Sequence, residues 1–174
     1  MMQLINILSW ISGSLIILGC LYFVLELIEK FFNNLTSSVS TYQISCSKAK
    51  LCRAIISWGL TNISPYNKND SVNFSISYYR HKKLMGTFFS TTRHINIYIN
   101  NHSDVKEIID TALHEVVHYK QFRLNPKSFN DMYSKHLQEI GYKNHPMEKE
   151  AKKVAALSTD RCLDYLLTNG LVRK

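Results

Sequence analysis

The chain has 174 residues, 45% of them hydrophobic, and 21 Lys and Arg against 13 Asp and Glu give a formal net charge of +8. That length allows one domain with an appendage, and the charge favours anionic partners such as a membrane surface or an acidic protein. The basic residues are scattered, with no Lys/Arg block interleaved with aromatics, so nucleic acid is not an expected partner. Four cysteines (Cys20, Cys46, Cys52 and Cys162) include no Cys-x-x-Cys pair, which reads as a reducing compartment with inert thiols.

Residues 4–28 are almost continuously apolar, broken only by Asn6, Ser9, Ser12, Gly13 and Ser14 before Glu26. About 22 residues at ~1.5 Å rise cover the roughly 30 Å hydrocarbon core of a bilayer. Trp10 and Tyr22 suit the two interfaces. A cleaved signal peptide fits less well, because no Lys or Arg precedes Lys30. The Ile17-Leu18-Gly19-Cys20 hint of a lipoprotein fails on bulky Leu18 and on the apolar run after Cys20. Residues 1–32 are therefore expected to be a single transmembrane anchor in contact with lipid. Lys30, Lys48, Lys50 and Arg53 all follow the span, which places a carboxy-terminal domain in the cytoplasm. Polar residues 33–45 read as a juxtamembrane linker, and 46–174 as the domain.

Within that domain, Ala49, Cys52, Ile55, Ile56 and Leu60 recur at helical spacing, with Gly59 near the expected end. Residues 64–70 are a loop by composition. Val72, Phe74, Ile76 and Tyr78 alternate with polar residues as a strand. Residues 84–90 suggest a second strand and 94–100 a third, giving a small antiparallel sheet. The third strand could also offer an edge to an extended peptide.

Asp104 with Glu107 three residues later resembles a capping box. Val105, Ile108, Ile109, Ala112 and Val116 then follow at a 3.6 period, predicting a helix of about 20 residues. It carries His114-Glu115-Val116-Val117-His118. Residues four apart share a helix face, so both imidazoles can reach one ion, with Glu115 beside them as a base. A catalytic zinc takes a third protein ligand. Gln121 and Leu124 stand where a metzincin has glycine and histidine, excluding that class. A further helix is expected over 129–140, closed by Gly141, and another begins at Pro146. Glu148 in its first turn shares a face with Ala151 and Ala155 and is the chosen third ligand. Glu150, His145 and His136 remain alternatives. Tyr142, His145, Tyr133 and His136 are candidate donors to a developing oxyanion.

His-Glu-Val-Val-His-Tyr-Lys-Gln-Phe, followed about 30 residues later by Pro-Met-Glu-Lys-Glu-Ala, resembles small gluzincin-type metallopeptidase domains. The phage and bacterial minigluzincin and ImmA/IrrE-like proteins are the comparison, over residues 72–157. The resemblance implies an α+β zincin-like domain with its sheet packed on the active helix. It implies His114, His118 and Glu148 as zinc ligands, Glu115 as general base, and a peptide or protein substrate. It departs at Lys152, where larger gluzincins often place an Asp that orients a histidine; Asp110 is the candidate substitute. The expected function is a membrane-anchored zinc metallopeptidase. The alternative is a membrane-tethered binding module of zincin fold without turnover.

Overall fold

The computed structural model describes residues 42–64 and 72–174. In chain order these form β1 (Gln43–Ile44), α1 (Lys48–Asn62), β2 (Asn73–Ser77), β3 (Gly86–Phe89) and β4 (His94–Tyr98). A single 3-10 turn (Ile99–Asn101) leads to α2 (Val105–Leu124), α3 (Phe129–Asn144), α4 (Pro146–Thr168) and β5 (Val172–Arg173). The arrangement is α+β. The main helical contact is between α2 and α4, and α1 packs on α2. Their shared core includes Ile55, Ile109, Leu113, Val116, Ala155 and Leu166, all fully buried.

Two expectations are corrected. Among the described residues no helix is long and apolar enough to cross a membrane. The longest, α2 and α4, carry charge throughout: α4 alone holds Glu148, Lys149, Glu150, Lys152, Lys153, Asp160, Arg161 and Asp164, and burying these in hydrocarbon would be costly. The stretch expected to span, 1–32, lies outside the described residues. Over the described residues the fold class is therefore α+β without a transmembrane helix, and the single-pass localisation is corrected by the same finding.

The sheet is also not purely antiparallel. Its order is β2-β4-β3, with β4 parallel to β2 and antiparallel to β3. The short 90–93 connection forces β3 and β4 into a hairpin, with Arg93 in the left-handed region at φ 49°. The longer 78–85 connection carries the chain across to the far edge. The strand richest in isoleucine takes the centre, where Ile95 and Ile97 are fully buried. Buried Asn96 is satisfied there by the Ser75 and Ser77 hydroxyls, at 2.8 and 2.9 Å. With neighbours on both sides, β4 has no free edge to offer a peptide. The free edge nearest the active helix belongs to β3.

The segment expected to be linker as far as residue 45 contains β1, which pairs antiparallel with β5 at the carboxy terminus.

Candidate metal centre

Helix α2 starts at Asp104, whose side chain accepts from the Glu107 N–H at 2.9 Å, while Glu107 Oε2 accepts from Ser103 N–H at 2.7 Å. These bonds satisfy amides that a helix start leaves open. One face of α2 is sealed into the core. The other brings His114 and His118 to the floor of a cleft of about 390 Å³, bounded by β3, α3 and the start of α4.

Three donor side chains converge there. His114 Nε2 and His118 Nε2 lie 3.0 Å apart. Glu148 Oε2 is 3.3 Å from His114 Nε2, and Glu148 Oε1 is 3.2 Å from His118 Nε2. Metal–ligand bonds of ~2.0–2.1 Å at tetrahedral angles set donors roughly 3.3 Å apart, and one ligand atom from each of the three residues lies within 4.8 Å of the others, close enough to share one small cation. Two further observations fit a cation. Glu148 Oε2 is buried without a hydrogen bond of good geometry, and an unsatisfied buried carboxylate oxygen is costly. In addition, His118 Nδ1 is 2.9 Å from Gln121 Oε1. The Gln121 amide is oriented by its Nε2, which donates to Met147 O and Glu150 Oε2, each at 3.0 Å. Its oxygen therefore faces His118, Nδ1 carries the proton, and the Nε2 lone pair is directed at the cluster.

Glu148 is positioned by its place in the first turn of α4, where the helix dipole favours negative charge. The Tyr133 hydroxyl donates to Glu148 Oε1 at 2.6 Å, a short charge-assisted bond. Burial pushes the Glu148 carboxyl up, but the facing His114 and His118 imidazoles and the Tyr133 hydroxyl outweigh it and hold the group well below the usual carboxylate range. Burial pushes His118 down, yet the facing Glu148 and Glu115 carboxylates raise it overall. The pocket thus stabilises a positive charge among these donors, whether a proton or a metal supplies it.

Glu115 sits next to the donors and is 6% exposed. Burial raises its pKa, opposed by the two histidines and by the Phe88 backbone N–H, which hydrogen-bonds to it. Gly86 explains how β3 comes so close. A Cβ there would meet Thr111 Cγ2 at 2.8 Å and Glu115 Oε1 at 3.0 Å, so only glycine fits. Tyr98 N–H donates to Met85 O, which with the β3–β4 register turns residues 85, 87 and 89 towards β4. The N–H and C=O groups of Gly86 and Phe88 therefore face away from β4, on the cleft side.

The other sequence candidates fall elsewhere. Glu150 is exposed and is engaged by Gln121. His145 is fully buried behind Tyr133, with its Nε2 3.0 Å from Tyr133 O. His136 packs on His145 at 5.4 Å between ring centroids. Neither of these histidines lines the cleft. Asp110 makes no bond to His114 and is felt there only as a charge. Tyr142 does line the cleft and is half exposed. Gly141, at φ 68° and ψ 168°, breaks α3 just before it in a conformation essentially reserved for glycine. Gln121, Gly86 and Phe88 were not candidates from sequence. Gln121 alone left a signal there, one turn after His118 on the same face.

No family model, no curated protein and no solved structure matches this chain.

Proposed function

We propose that the protein is a zinc metallopeptidase of gluzincin type, hydrolysing peptide bonds with His114, His118 and Glu148 as ligands. One observation carries the reading: a His/His/Glu donor set, with His118 and Glu148 buried and His114 partly so, lies beside a buried carboxylate on the floor of a cleft flanked by a free strand edge. When bound, zinc supplies Lewis acidity, polarising a carbonyl and making water nucleophilic near neutral pH. Glu115 accepts the proton of the attacking water and delivers it to the departing amine; its raised pKa suits a group that must hold and release a proton. The outward N–H and C=O groups of Gly86 and the Phe88 C=O hold the peptide extended. Tyr142, its phenol kept protonated by burial and then by the Glu148 carboxylate, donates to the carbonyl oxygen as charge develops.

The test is peptide cleavage by the zinc-loaded full chain, with products identified by mass spectrometry. Glu115→Gln is expected to lower turnover by about 10²- to 10⁴-fold while zinc stays bound. Equal cleavage by Glu115→Gln would sink the peptidase reading, as would a wild-type chain that binds zinc and cuts nothing.

A further inference from the structure

The connection from β2 to β3 carries Arg80-His81-Lys82-Lys83. Arg80, Lys82 and Lys83 are exposed, and among the described residues no carboxylate pairs with any of them. The loop is held in shape. His81 Nδ1 accepts from the Lys83 and Leu84 N–H groups at 3.1 and 2.9 Å. Asn101 Nδ2 donates to His81 O at 2.8 Å and to Leu84 O at 2.6 Å. The Asn100 amide donates to Tyr78 O. Asp104 and Glu107, at the start of α2, are occupied by their capping bonds.

This pinned basic loop runs straight into the cleft. Leu84 and Gly86 line the cleft, while Lys83 and Met85 line an adjoining hollow, so the two share one stretch of backbone. A peptide paired with β3 and extending past Gly86 therefore passes along Lys83 and Lys82. Antiparallel pairing is the more stable choice. It runs the peptide from Phe89 towards Gly86, so the residues that reach the loop follow the bond cut over Glu115. At ~3.3 Å per residue, roughly two to four residues separate that bond from the lysines.

We propose that the loop at 80–83 selects substrates, favouring peptides with acidic side chains a few residues after the scissile bond. The proposal rests on the peptidase reading above. Its physical basis is three cations without counter-ions held on a fixed backbone, so a carboxylate gains attraction at little ordering cost. Because the groups are exposed, the preference is modest and screened by salt.

The experiment incubates the zinc-loaded full chain with a randomised peptide library at low salt and reads residue enrichment around each cut. Asp and Glu are expected to be enriched about two- to fivefold over Asn and Gln at those positions. In the combined Arg80→Gln, Lys82→Gln, Lys83→Gln variant, or at ~0.5 M salt, the enrichment should fall towards unity. Enrichment that is absent in the wild type, or that survives in the variant, overturns the proposal. A binding comparison separates this from failure of the peptidase reading. Labelled Glu-Ala and Gln-Ala repeat peptides are titrated onto the Glu115→Gln chain with and without the three loop changes. If the wild type cuts nothing, the peptidase reading fails. Tighter binding of the acidic peptide that depends on the loop still supports charge selection, and equal binding overturns it. Displacement of the acidic peptide by single-stranded oligonucleotide or anionic vesicles at lower concentration than by unlabelled acidic peptide also overturns it.

Discussion

Tyr133 and Tyr142 stand on the same wall of the cleft and are predicted to fail differently. Tyr133 gives its hydroxyl to Glu148, so Tyr133→Phe removes a bond that orients a proposed ligand and should weaken zinc binding about 10- to 100-fold. Tyr142→Phe should leave zinc affinity intact and lower kcat about 10²-fold. Chelator competition and steady-state kinetics on the two variants check this; identical behaviour would refute the division of roles. Gln121→Ala should resemble Tyr133→Phe, because His118 Nδ1 loses its acceptor. His114, Glu115 and His118 are readable in the sequence because helix geometry alone sets an i, i+4 pair on one face. Glu148 is readable because Pro146 marks a helix start that favours a carboxylate. Gln121 answers to a bond with His118 and Met147 that exists only once α2 and α4 are packed, and Gly86 is required only because β3 crosses Glu115.

At the level of elements, period-two alternation located β2 and β4, and residues 84–90 suggested β3, but such a pattern carries no direction and no neighbour. That is why the antiparallel arrangement and the exposed β4 edge were expected and the mixed β2-β4-β3 order was not. The β1–β5 pair, whose two short strands lie far apart in sequence, has no local signal at all. It is nonetheless predicted to matter. Leu171 and Val172 are buried, Leu171 O accepts from Ser45 N–H at 2.9 Å, and Val172 pairs with Ile44. Removing residues 171–174 should cost roughly 3 kcal/mol from the two apolar side chains, read as a lower denaturant midpoint with an unchanged slope for the same unit. A midpoint within experimental scatter of the intact chain would show the pairing to be incidental. Helix α3 differs again. Gly141 was legible as a stop, but the chain resumes its helical path after the break and so turns Tyr142 into the cleft.

For the molecule as a whole, the donor set joins α2 to α4, the two helices that make the largest contact in the fold. Zinc at about 100 times its dissociation constant should add about 2.7 kcal/mol and raise Tm by roughly 5–10 °C, and a chelator should reverse the gain. The packed core makes a separate prediction. Burial pushes the Cys52 and Cys162 thiols up to about 12, so at pH 8 both stay protonated and resist alkylation until the protein unfolds. Mass mapping after iodoacetamide treatment checks this, and labelling of either thiol in the native state at the unfolded rate would contradict the packing described. The charge of the whole chain was legible from composition, but its concentration at Arg80, Lys82 and Lys83 beside the cleft depends on where the 78–85 connection crosses the sheet.

The most direct measurement is the zinc content of the purified chain and of its single variants. About one zinc per chain is expected in the wild type, Glu115→Gln and Glu150→Gln, and its loss in His114→Ala, His118→Ala and Glu148→Gln. A zinc-free wild type, or zinc retained in Glu148→Gln and lost in Glu150→Gln, would contradict the proposed site.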